Sequence, residues 1–251
     1  MEKEITAMYV EENADLERAK KISEKFNIKI ITDNKETSGL TLYLSKSGLS
    51  LVYENMKLSG DFSKMIKRIK QNNLQNEILI HAAKIKEKTR DLMAIDATAG
   101  MGEDSMLLAA YGYNISLYEN NPIIAELLKD SLERAKQFPE LKEIVSRMKV
   151  YEEDSIIAMQ KLEESPDIIL LDPMFPERTK SSLIKKKFQV LHKIENPCLN
   201  ESELLNSAIK ANPKKIIIKR PLKGNSIRYD CIINISRFNK RIIGENKNDR
   251  D

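Results

Sequence analysis

The sequence predicts an α/β protein. A doubly wound, mostly parallel sheet spans residues 91–238, preceded by a small α/β lobe over 1–60 and a helical connector over 61–90. Three observations carry that expectation. From residue 91 onward, short apolar runs alternate with helical patterns, the signature of parallel βαβ units. The first of these runs leads into a glycine-containing turn, DATAGMGED at 96–104, ahead of a helix. Acids stand where the successive strands are expected to end, at Asp96, Glu119, Asp154 and Asp172.

Taken in order, the lobe offers a strand at Ile5–Val10, a helix over 14–26, strands over 28–32 and Leu40–Ser45, and a hairpin partner at Gly48–Tyr53. Gly60-Asp61 closes it. The connector is polar and basic, with Leu74, Ile78, Ala82 and Ile85 at helical spacing. The main domain then reads as a strand over 92–96, a helix at Glu103–Tyr111, a strand over 115–119 and a helix over 122–136. Pro122 suits the first turn of that helix, where its missing N–H loses nothing. A strand over 148–152, a short helix over 156–162 and a strand over 168–172 follow. The reading ends with helices over 182–194 and 201–211, strands over 215–219 and 229–235, and a polar tail over 239–251. A sheet of this kind binds ligands beyond the carboxyl ends of its strands.

Composition narrows the function. Apolar residues make up 41% and charged residues 32% of the 251, the balance of a globular protein, and no stretch is apolar enough for a membrane span. The acidic, polar start is unlike a signal peptide, and Cys198 and Cys231 have no motif spacing, so a cytoplasmic protein with reduced thiols is expected. His81 and His192 lie far apart, which leaves little material for a zinc site or a Ser-His-Asp triad, and no metal is expected. The net charge of +4 is unevenly spread. Arg178, Lys180, Lys185, Lys186, Lys187 and Lys193 form one basic cluster without an acid, and Lys214, Lys215, Lys219, Arg220 and Lys223 form a second. A single lysine run is most often a solvated face. Two beside one candidate site fit a polyanionic substrate.

The strand ends suggest chemistry. Gly100 and Gly102 permit a tight turn and close backbone approach to a ligand at a helix N-terminus. A dinucleotide fingerprint would place a third glycine where Ser105 stands. Glu119, 17 residues after Gly102 and followed by Asn120, is placed to accept hydrogen bonds from ribose hydroxyls. Asp154 and Ser155 suit either the amino group of an adenine or the cap of the next helix. Asp96, Glu103, Asp104, Glu119, Asp154 and Asp172 would share one rim, which would repel a pyrophosphate and suit S-adenosylmethionine, with its sulfonium and ammonium. A nicotinamide dehydrogenase is the weakest reading for that reason and for the missing glycine.

The last of these strands ends in DPMF, similar to the D/N-P-P-Y/F motif of amino-methyltransferases. An exocyclic amine is a poor nucleophile because its lone pair is delocalised. Asp172 and the Pro173 carbonyl can accept its two hydrogens and aim the lone pair at a methyl group. Phe175 offers a stacking face for the base. From these residues alone the acceptor is open: an RNA base, a DNA adenine or a protein amide.

DATAGMGED, YENNP, LLDPMFPERTKSSLIKKKFQVL, IIIKRP and KGNSIRYD, in that order, resemble the small-subunit ribosomal RNA guanine-N2 methyltransferases. The resemblance covers roughly residues 90–235. It implies a class I S-adenosylmethionine-dependent fold and transfer to guanine N2 in 16S ribosomal RNA. It places cofactor contacts on Glu103, Asp104, Glu119, Asn120, Asp154, Ser155 and Asp172. RNA contacts are expected on Arg178, Lys180, Lys185, Lys186, Lys187, Lys219 and Arg220. Glu103 and Asn120 stand where the family has arginine, and Asp154 where it has serine. The two arginine replacements motivate one other reading, a non-catalytic RNA-binding protein on the same scaffold.

Overall fold

The computed structural model describes residues 5–33, 39–85, 91–173, 201–220, 232–236 and 242–243. The lobe forms a five-stranded sheet from β1 (Ile5–Val10), β2 (Lys29–Ile31), β3 (Leu40–Ser45), β4 (Gly48–Tyr53) and β5 (Met56–Leu58), ordered β2-β1-β3-β4-β5. Helix α1 (Leu16–Phe26) starts where the Asp15 carboxylate accepts from the Arg18 N–H, 2.9 Å away, and stops at Asn27 in the left-handed region. Its Ala19 and Ile22 pack against Leu42, Leu49 and Leu51 of the sheet.

The connector breaks into a 3-10 turn at Phe62–Met65 and helices α2 (Ile66–Ile69), α3 (Gln71–Leu74) and α4 (Ile78–Ala83). The main domain contributes β6 (Met93–Asp96), α5 (Glu103–Tyr111), β7 (Asn114–Tyr118), α6 (Pro122–Ala135), α7 (Pro139–Ser146), β8 (Met148–Tyr151), α8 (Ser155–Met159) and β9 (Ile168–Leu171). Helix α9 (Glu201–Lys210) and strands β10 (Lys215–Arg220), β11 (Ile232–Ser236) and β12 (Ile242–Ile243) follow. The seven-stranded sheet runs β12-β11-β10-β9-β6-β7-β8, with only the β11–β12 pair antiparallel. Chain order reverses between β6 and β9, so the ligand crevice of a doubly wound sheet opens at their carboxyl ends.

Strand alternation assigns each side chain to a face. Ala94, Leu170 and Ile217 join the core beneath α4, α5 and α7. Ile95, Ile169, Ile216 and Ile218 join the opposite core with α8 and α9. The next residues on β6, β9 and β10 are therefore sorted in advance. Asp96, Asp172 and Lys219 turn toward α5, and Arg220 toward α9.

Helix α6 joins the two sheets. Ile124 and Leu127 pack into the lobe, while Leu128, Leu132 and Ala135 pack into the main core. Between these faces lies Asp130, which is 1% exposed. It accepts from Arg18 of the lobe at 2.6 Å and from Arg134 at 2.8 Å. Arg134 also donates to the Gly60 carbonyl at 2.6 Å. Gly48 sits against this cluster at φ +113°, and a Cβ there would lie 2.2 Å from Arg134 Nε.

Several elements differ from the sequence expectation. Helix α7 and strand β5 are additional, and the expected polar tail contains β12, paired with β11. The last long strand is Ile232–Ser236 rather than 229–235. The helical stretch expected over 182–194 lies outside the described residues.

Candidate active site

The turn after β6 depends on its glycines. Gly100 and Gly102 sit at φ +51° and +73°, a region that L side chains rarely adopt. A Cβ on Gly102 would also lie 2.7 Å from Leu128 Cδ1. Asp96, expected among the ligand contacts, lies buried beneath this turn. It is 3% exposed, accepting from the Thr98 N–H at 3.1 Å and from the Ser105 hydroxyl at 2.6 Å. Burial first, and then the negative charge of Asp104 and Asp172, push its pKa up to about 7. Ser105, which looked like a missing glycine, thus anchors α5 to the end of β6.

Glu119 closes the other side of the turn. Its carboxylate accepts from the Gly100 N–H at 2.9 Å and from the Asn121 N–H at 2.8 Å. Burial raises its pKa against the pull of these two bonds. Each carboxylate oxygen has a second lone-pair site, so the group that braces the glycine turn can also accept from a ligand hydroxyl. Asn121 caps α6 by accepting from Ile123 and Ile124, and Asn120 beside it is exposed. Asp154 takes the capping alternative, accepting from the Ile156 N–H at 2.8 Å, with Ser155 buried as the first residue of α8.

At the end of β9 the Asp172 N–H donates to Thr98 Oγ1 at 2.7 Å, which ties the Asp-Pro step to the glycine turn. Pro173 is buried. Lys219 stands opposite, one residue beyond the Ile218–Leu171 pair of the β9–β10 ladder. Its ammonium donates to Asp172 Oδ2 at 3.0 Å and to Asp104 Oδ2 in the first turn of α5. Burial alone would lower the Lys219 pKa, but the two carboxylates more than reverse this and raise it. Glu103, next to Asp104, is exposed.

The structure gathers Gly100, Gly102, Glu103, Asp104, Glu119, Asn120, Asp154, Ser155, Asp172 and Pro173 around the strand ends, as the motifs imply. It redirects Lys219 and Arg220. Lys219 is bound within the site, and Arg220 is buried on the opposite face, donating to Glu201 of α9. Neither lies on an open basic surface. Phe175, Arg178, Lys180, Lys185, Lys186 and Lys187 lie outside the described residues. Thr98, Ser105 and the acid-bridging role of Lys219 went unread in the sequence. Strand alternation carried the signal for Lys219, but only once its register against β9 was known.

Among the described residues the rim is mostly carboxylate, which fits a ligand bearing a sulfonium and an amino group. Comparison with known proteins agrees. A protein-family model described as "Putative SAM-dependent methyltransferase" matches residues 21–240. A protein of Dechloromonas aromatica named ribosomal RNA small subunit methyltransferase J is 42% identical over 134 residues, 53% of this chain and 55% of its own. The match therefore spans about half the length of that relative. A protein of the same name from Thioalkalivibrio sulfidiphilus is 32% identical over 219 residues, 84% of this chain and 85% of its own. Among solved structures, a SAM-dependent methyltransferase from Neisseria gonorrhoeae superposes with a TM-score of 0.64 at 24% identity, covering 88% of this chain and 87% of that one, which shows the fold. The rim, the switch-point topology and these matches converge: the chain belongs to the S-adenosylmethionine-dependent methyltransferases of the ribosomal RNA small subunit methyltransferase J family.

Proposed function

We propose that this protein methylates the exocyclic N2 amine of a guanine in small-subunit ribosomal RNA. The observation that carries the reading is Asp172, held at the end of β9 by Thr98 and Lys219 and backed by an acidic rim. S-adenosylmethionine, when bound, supplies an electrophilic methyl group. Glu119 accepts from its ribose, the backbone at Gly100 and Gly102 allows close approach, and the rim acids Glu103, Asp104 and Asp154 complement its positive charge. Asn120 and Ser155 complete the proposed cofactor contacts.

Asp172 and the Pro173 carbonyl hold the amine hydrogens, so the nitrogen lone pair points toward the methyl group. Lys219 fixes the orientation of the Asp172 carboxylate. Once alkylated, the amine is acidic, and Asp172 or water takes its proton. Phe175 is the proposed stacking face for an extruded base, and Arg178, Lys180, Lys185, Lys186 and Lys187 the proposed backbone contacts. The relatives named for the small ribosomal subunit support RNA over DNA or protein. No helix among the described residues is long and apolar enough to cross a membrane, and a ribosomal substrate implies work in the cytoplasm.

The test is product identity. Labelled S-adenosylmethionine and small-subunit RNA are incubated with the protein, and the digested nucleosides are resolved by mass spectrometry. N2-methylguanosine is the expected product. Label in methyladenosine or in ribosomal protein would overturn the guanine assignment.

A further inference from the structure

The connector buries one face and leaves the other basic. Phe62, Met65, Ile69 and Leu74 enter the main core with Met106 and Leu107 of α5. Lys64, Lys67, Arg68 and Lys70, on the same short elements, are exposed. Between these elements and the start of α4 runs an open groove of about 530 Å³, lined by Lys64, Lys67, Arg68, Asn73, Asn76 and Glu77. Its walls are fixed. Asn73 donates to the Lys67 carbonyl at 2.7 Å, and Asn76 to the Asn72 carbonyl at 2.9 Å. Arg68 grips Glu77 through two bonds of 2.6 and 2.8 Å. That pairing uses the one acid of the lining, and Asp61 pairs with Lys64 at 3.2 Å, so Lys67 carries the surplus positive charge of the lining.

The buried face of the connector, behind this groove, reaches the active site. Phe62 Cζ lies 3.4 Å from where a Cβ on Gly102 would stand, so the connector packs on the glycine turn itself. The Arg68 guanidinium, held first by Glu77, is also within the field of Asp104 and Glu103 at the start of α5. No large apolar side chain is exposed along this segment, whereas a protein-docking surface would present apolar or aromatic anchors. Cations and amides without such anchors suit a phosphodiester backbone.

We infer that this connector groove is a second RNA-binding surface, taking the ribose-phosphate backbone flanking the target base on the α5 side of the site. The inference rests on the proposed RNA substrate and adds a contact surface from a different part of the chain than the basic segment after β9. Such contacts position RNA and read no sequence.

The test is the salt dependence of binding to transcribed small-subunit RNA, wild type against a Lys64→Gln, Lys67→Gln, Lys70→Gln variant. Losing three phosphate contacts should lower the slope of log affinity against log salt by about two and raise the RNA KM about tenfold. S-adenosylhomocysteine affinity and the melting temperature should not move. Lys67→Glu alone should show the same trend, smaller in size. An unchanged slope and KM would overturn the inference, as would an unchanged slope with lost binding to a ribosomal protein. The salt slope is read without catalysis, so a wild type that binds RNA but transfers no methyl refutes the proposed reaction and not the groove.

Discussion

Two clusters of charge in this molecule are built in opposite ways, one around a carboxylate and one around an ammonium. At the junction of the lobe with α6, one carboxylate, Asp130, meets two guanidinium groups, Arg18 and Arg134. Every member is partnered, and a backbone carbonyl takes a further Arg134 donor. At the rim, Asp104 and Asp172 share the single ammonium of Lys219, with Asp96 buried just below. There burial, with the charges of Asp104 and Asp172 beside it, drives Asp96 up to about 7. The junction is electrostatically complete and holds two sheets together. The rim gathers carboxylates at the strand ends around one strongly perturbed carboxyl group, the pattern of a functional site.

If that distinction is right, the two clusters should fail differently. The largest effect belongs to Asp130→Asn. It leaves two arginines facing each other without their buried counter-charge, which should destabilise the fold by about 3 kcal/mol. Calorimetry should record this as a fall in melting temperature of about 8 °C, with S-adenosylhomocysteine affinity of the folded protein unchanged. Loss of cofactor affinity at a constant melting temperature would break the comparison.

Glu119→Ala should act on the ligand as well as on the glycine turn that its carboxylate braces. Losing a buried acceptor for ligand hydroxyls should weaken S-adenosylhomocysteine about 30-fold by titration calorimetry, given the strength of hydrogen bonds to charged groups. An affinity equal to wild type would remove Glu119 from the site.

The smallest effect sharpens the contrast through pH. The Asp96 carboxyl is raised in the folded state above its ordinary value, so its ionisation opposes folding. Stability from this group is greatest below about pH 4 and is lost as pH rises to about 7. Asp96→Asn cannot ionise and keeps an acceptor for the Thr98 N–H. Its melting temperature relative to wild type should therefore improve by a few degrees between pH 5 and pH 8. A difference that stays flat across this window would show that Asp96 does not carry the strain.

Much of this architecture was legible because alternation is a strong signal. The strands that became β6 to β10 were placed within about two residues, since each is a short apolar run beside a glycine, proline or acid. Helix α7 was missed although Pro139, Leu141, Ile144 and Val145 carry a helical pattern, because eight residues between a helix and a strand read as a loop. Strands β5 and β12, of three and two residues, are too short for a period of two to register. The motif acids were visible as residues, but their roles separated only in three dimensions. Asp96 and Asp172 look alike in the sequence; one points beneath a turn and the other pairs with a lysine 47 positions away. The junction was invisible for the same reason, because Arg18 and Asp130 lie 112 positions apart.

Asp172, as the group that orients the accepting amine, is the centre of the proposed reaction. The direct measurement is methyl transfer from labelled S-adenosylmethionine to small-subunit RNA by wild type and Asp172→Ala, with RNA and S-adenosylhomocysteine affinities measured on the same preparations. The predicted result is a kcat lowered about 100-fold or more, as for other losses of a group acting on the transition state, with both affinities within about threefold of wild type. Equal turnover by the two proteins would contradict the assignment.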